Sequence, residues 1–103
     1  MEPAYPLYLI GNAHIDPVWL WQWREGFHEV KATFHSALDR MEETSGFVFT
    51  CACACYYQWV EENDPAMFRE IQARVREGRW VIVGGMWIQP DMNIPSGESL
   101  ARQ

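Results

Sequence analysis

Three short, apolar, β-prone runs, at residues 7–13, 47–53 and 80–84, are separated by stretches whose apolar residues recur every three or four positions. Alternation of strand-type and helix-type spacing is compatible with few architectures, and helical connections of this size join parallel strands by crossovers. The 103-residue chain therefore reads as α/β, in the order strand, helix, strand, helix, strand, within at most one small domain.

The punctuation between the runs places the helices. Pro17 suits a first helical turn and Asp16 can cap it, so a long helix is expected from about Pro17 to the Thr44-Ser45-Gly46 stop. Its apolar stripe reads Phe27, Val30, Phe34, Leu38 and Met41. Gly26 lies inside that helix, where a glycine costs roughly 1 kcal/mol, and points to a kink or a close approach. A short helix is expected over residues 56–62. Another starts with Asp64 as cap and Pro65 as first residue, buries Phe68, Ile71 and Val75, and ends at Gly78. Residues 1–6, with two prolines, form an irregular lead-in. Residues 90–99 form a loop before a last helix that Ser96 caps.

The chemistry gathers where the first strand hands over to the first helix. Open α/β sheets and α/β barrels place their sites at such strand ends. His14 and Asp16 are two residues apart, so on an extended chain they point the same way, and an imidazole and a carboxylate can converge on one divalent ion such as Zn²⁺. The structural alternative is a histidine bonded to the backbone beside an aspartate that caps a helix. Trp19 lies close enough to stack on a flat apolar ligand face, or to serve as core. Asp91 follows the third strand, on the same sheet end as the pair if the strands are parallel, or it supplies turn chemistry beside Pro90. His28 and His35, two helical turns apart, read as solvated.

Composition narrows the function classes. A net charge of −6 argues against nucleic acid or an anionic membrane as partner, because both need a basic face. No apolar run approaches the ~20 residues of a membrane span, and the N-terminus lacks a signal-peptide pattern, which makes a cytoplasmic setting the expectation. Cys51, Cys53 and Cys55 alternate in one run; an extended strand would put them on one face, as small reduced thiols rather than a disulfide framework or a thiolate metal site. Six tryptophans in so short a chain suggest a sugar-binding surface or contacts with further sequence.

Two longer blocks carry a resemblance. Asn12-Ala13-His14-Ile15-Asp16-Pro17-Val18-Trp19-Leu20-Trp21 and Gly84-Gly85-Met86-Trp87-Ile88-Gln89-Pro90-Asp91-Met92-Asn93-Ile94-Pro95-Ser96-Gly97-Glu98-Ser99 resemble the amino-terminal catalytic domain of the α-mannosidases of glycoside hydrolase family 38. The segment between, with Tyr56-Tyr57-Gln58-Trp59-Val60-Glu61-Glu62-Asn63-Asp64-Pro65, resembles the bacterial members. The resemblance implies a retaining, zinc-dependent exo-α-mannosidase on a seven-stranded parallel β/α barrel, with one Zn²⁺ per active site and an α-mannoside or oligosaccharide as substrate. It implies that His14 and Asp16 bind the zinc, that Trp19 lies against the terminal mannose, and that Asp91 is a candidate sugar contact.

No acidic motif in the chain matches the family's nucleophile block, so no catalytic nucleophile is expected within it. The nucleophile and the remaining ligands are expected beyond Gln103 in a longer parent. By this resemblance residues 1–103 are an amino-terminal fragment, the first βαβαβ portion of the barrel, which alone binds zinc weakly at best and hydrolyses nothing. A homo-oligomer of the full-length protein is compatible with the sequence. The competing readings are a zinc-dependent carbohydrate deacetylase, whose barrels also carry metal-binding aspartate and histidine near strand ends, and a non-catalytic truncated product.

Overall fold

A computed structural model describes residues 4–103, so the first three residues of the expected lead-in lie outside the described ones. In chain order the elements are β1 (Gly11–Asn12), α1 (Trp23–Glu43), β2 (Phe49–Cys51), α2 (Ala54–Asn63), α3 (Pro65–Arg76), β3 (Trp80–Ile82) and α4 (Gly97–Arg102). The strands form one parallel sheet in the order β1-β2-β3, with Gly11 opposite Phe49 and Phe49 opposite Trp80. The α/β reading and the parallel sheet hold.

The core lies between this sheet and α1, α2 and α3. Phe34 of α1, Phe49 of β2 and Trp80 of β3 meet edge to face, with Trp80 4.9 Å from each of the other two ring centres. Tyr57 of α2 closes the cluster 5.6 Å from Phe34. Buried Tyr and Trp rings must satisfy their polar tips. Here the Trp80 indole N–H donates to the Tyr57 hydroxyl at 2.9 Å, which donates in turn to the Cys51 carbonyl at 2.9 Å. At the far end Arg79, just before β3, donates to the carbonyls of Met41, Thr44 and Phe47. It thereby satisfies acceptors that the last turn of α1 leaves open.

The boundaries differ from the sequence reading in four places. First, α1 starts at Trp23 rather than at Pro17, with Gln22 as N-cap, and Asp16 caps nothing. The cause is a close approach: the chain folds back so that the Pro17 carbonyl rests against Gly26, where a Cβ would lie only 1.8 Å from its oxygen. Gly26 is thus the close contact its position suggested.

Second, the paired strands are shorter than the apolar runs. Residues 7–10 are exposed and have no strand partner among the described residues. Third, β2 stops at Cys51 because the chain turns at Cys53, whose φ of 66° lies in the left-handed region. The three cysteines therefore do not share a strand face: Cys51 ends β2, Cys53 forms the corner, and Cys55 lies in α2. Fourth, α3 presents Met67 and Ile71 to the core and leaves Val75 exposed, so its stripe is rotated by one residue from the expected one. The Asp64 cap and the Pro65 start stand, with Asp64 accepting from the Met67 N–H at 3.1 Å.

Candidate metal-binding pair at the end of the first strand

Beyond Asn12 the chain continues without a sheet partner but keeps the alternation of an extended segment. Ile15 turns inward and is buried, while His14 and Asp16 turn outward together. Their side chains converge: His14 Nε2 lies 3.3 Å from Asp16 Oδ1, with roughly half or more of each side chain open to solvent.

That separation bears on metal chemistry. Two donors on a tetrahedral ion, each bonded at ~2.0 Å, stand about 3.3 Å apart. A nitrogen and an oxygen donor at this spacing fit two of the ligand positions of such an ion. Among the described residues, no group of three or more His, Cys, Asp or Glu side chains is placed to hold a metal ion. The pair is a partial site.

The backbone beneath the pair is restrained at three successive carbonyls, two by hydrogen bonds and the third by a close approach. The Tyr56 hydroxyl, from α2, donates to the Ile15 carbonyl at 2.7 Å in a buried hydrogen bond. The Trp21 indole N–H donates to the Asp16 carbonyl at 2.9 Å. The Pro17 carbonyl abuts Gly26 of α1. Behind them, the Thr50 hydroxyl of β2 donates to the Gly11 carbonyl at 2.8 Å.

Two cavities open beside the pair. One, of about 240 Å³, spans the ends of β1 and β2 and is lined by His14, Cys53, Tyr56 and Gln89 among others. The other, of about 180 Å³, is lined by His14, Asp16, Trp21 and Glu29 among others. The site is therefore an open concave surface at the C-terminal edge of the sheet, where α/β folds bind ligands.

The other sequence candidates fall as follows. Trp19 is largely exposed, its ring set edge-on to Trp21 at 5.4 Å, which ties it to the segment carrying Asp16. Asp91 is used locally: its Oδ1 accepts from the backbone N–H of Asn93 at 2.8 Å and of Ile94 at 3.3 Å, the turn chemistry of an aspartate beside proline. It lines a separate cavity with Ile94 and Leu100, and Gln89 is the residue of its loop that reaches the cavity beside His14. His28 and His35 are exposed on α1.

Sequence reasoning missed Tyr56, Trp21, Glu29 and Gln89. For Tyr56 a signal existed, because a tyrosine on the core face of a helix must find an acceptor for its hydroxyl. For Glu29 and Gln89 there was none, since only the packing of α1 and of the loop after β3 brings them to the cavities.

Burial decides the state of the neighbouring groups. It pushes the Cys51 thiol up to about 11 and the Cys55 thiol up to about 12, so both rest as protonated thiols at neutral pH. It likewise lifts the phenols of Tyr56 and Tyr57 well above the usual range, which keeps both hydroxyls protonated and able to donate. All three cysteines are free. Among the described residues no helix is long and apolar enough to cross a membrane.

Comparison with known proteins gives the family. The chain is 35% identical over 102 residues to alpha-mannosidase 2C1 of Homo sapiens, covering 99% of this chain and 10% of that protein. It is 35% identical over 102 residues to alpha-mannosidase G of Dictyostelium discoideum, covering 99% of this chain and 9% of that one. The alpha-mannosidase of Saccharomyces cerevisiae is 36% identical over 98 residues, 94% of this chain and 9% of the yeast protein. The chain thus spans about a tenth of the length of these relatives. The family model described as the glycosyl hydrolases family 38 N-terminal domain matches residues 4–103, and the chain belongs to that family.

Proposed function

We propose that this chain contributes the first part of the active site of an α-mannosidase, a hydrolase of terminal α-mannosidic bonds, with His14 and Asp16 as two ligands of a Zn²⁺ ion. The observation that carries the reading is the 3.3 Å approach of His14 Nε2 to Asp16 Oδ1 at the mouth of an open cavity. When bound, the ion would act as a Lewis acid and template for sugar hydroxyls. His14 offers an imidazole nitrogen and Asp16 a carboxylate oxygen, and the exposed Trp19 ring offers an apolar face against which a mannose ring can lie. A retaining mechanism needs two carboxyl groups, one as nucleophile and one as proton donor; in this reading the nucleophile lies in the longer parent, since the chain spans only about a tenth of its relatives.

The three-stranded sheet is in this reading the opening of a seven-stranded parallel β/α barrel. Ile10 ahead of β1 and Ile82 and Val83 at β3 expose apolar surface suited to flanking strands. Unprotected amides along residues 7–10 and 81–83 in hydrogen exchange of the full-length protein would count against it. The free thiols fit a reducing compartment such as the cytoplasm.

Metal analysis of the full-length protein tests the site directly. Loss of zinc from both His14→Ala and Asp16→Ala is expected. Wild-type metal content in both would remove the assignment.

A further inference from the structure

We infer that Tyr56 is a positioning residue for the His14–Asp16 pair, acting through the Ile15 carbonyl between them. This rests on the metal reading of that pair. Past Asn12 the chain has left the sheet, so no ladder hydrogen bond fixes the direction in which residues 14 and 16 project. The Tyr56 hydroxyl substitutes for the missing ladder partner: it donates to Ile15 at 2.7 Å, is buried, and reaches across 41 residues of sequence.

The neighbouring restraints are of a different kind. The Trp21 bond to the Asp16 carbonyl is exposed and local, only five residues away. Gly26 limits how far Pro17 can move inward but holds it by no bond. Tyr56 alone connects the pair to the buried part of α2, and its ring also lines the cavity that His14 faces. Outer partners that orient metal ligands typically set the affinity of a site by 10–100-fold.

Tyr57 supplies a matched control. It is the next residue of the same helix, and its buried hydroxyl also donates to a backbone carbonyl, that of Cys51, which lines the same cavity but is not on the segment that carries the pair. In the full-length protein, zinc affinity is measured by competition with a chromophoric chelator, and the ligand field by the visible spectrum of the Co²⁺-substituted form. Tyr56→Phe, which removes only the hydroxyl, is expected to weaken zinc binding about 10-fold and to shift the Co²⁺ bands. Tyr57→Phe is expected to lower the melting temperature while leaving affinity and spectrum as in the wild type.

If His14→Ala loses zinc but Tyr56→Phe binds it like the wild type, the positioning role is overturned and the metal site stands. Equal weakening by Tyr56→Phe and Tyr57→Phe would also overturn it, because both would then act by loosening the core. If His14→Ala binds zinc unchanged, the metal reading itself fails, and the role of Tyr56 with it.

Discussion

Pro17 and Gly26 meet backbone to backbone, so closely that a Cβ at residue 26 would stand 1.8 Å from the Pro17 carbonyl oxygen and 2.6 Å from its carbon. Neither atom belongs to a side chain that could swing away. Gly26→Ala must therefore push the His14–Asp16 segment off α1, at a cost of about 1–3 kcal/mol or more in folding stability. Gly46→Ala is the contrast, with open space around its Cβ. Denaturant midpoints should fall for the first and stay for the second; equal midpoints would show that the segment is free to shift.

The His14–Asp16 pair is exposed, so its removal separates metal binding from folding. His14→Ala and Asp16→Ala are each expected to abolish zinc retention in the full-length protein while moving stability by no more than about 0.5 kcal/mol in the apo form. Asp91→Ala is expected to loosen the turn to Asn93 and Ile94 and to leave zinc content unchanged. Loss of metal in Asp91→Ala would bring that residue back to the site.

Alkali should unfold the protein by a definite route. Burial raises Cys51 and Cys55 from the ordinary thiol value of 9.0 to about 11 and about 12, so the unfolded chain gives up these protons first. The contribution is whole below pH 9.0 and is lost as the pH climbs from there towards 12. The raised phenols of Tyr56 and Tyr57 act in the same direction from pH 10.0 upward, within the same window. Denaturant midpoints on either side of the window should show the decline, and Cys55→Ala should lessen its slope.

The three thiols should differ in reactivity. Cys51 and Cys55 are 2% and 1% exposed, whereas Cys53 is half-buried on a cavity wall. One thiol is expected to react rapidly with a small disulfide reagent under native conditions, with the other two following only on unfolding. Three reacting together would mean that the β2–α2 corner opens readily.

The 103-residue chain by itself is expected to release no phenol from an aryl α-mannoside, since among its described residues no set of three metal-ligating side chains comes together. Zinc-dependent turnover by the purified chain would overturn this.

How much of this was legible depended on whether a local signal met a distant competitor. Asp64-Pro65 had none, and α3 starts where the sequence places it. Ser96 likewise caps α4, its hydroxyl accepting from the Ser99 N–H at 3.1 Å. Pro17 carried an equally good start signal and lost, because its carbonyl is committed to the contact with Gly26, nine residues on. The alternation that sets His14 and Asp16 side by side could be read from spacing alone. The turn at Cys53 could not, because it places a non-glycine residue at a positive φ, where neither glycine nor asparagine marks it.

Arg79 gives the fold a property that its topology does not require. One guanidinium, from the residue before β3, gathers carbonyls from residues 41, 44 and 47, which end the first crossover. The outermost strand cannot peel away while the long helix keeps its last turn, nor can that turn fray while the strand stays docked. Segments 32 to 38 residues apart are thereby latched into one cooperative unit, and their amides should exchange with solvent at a common rate.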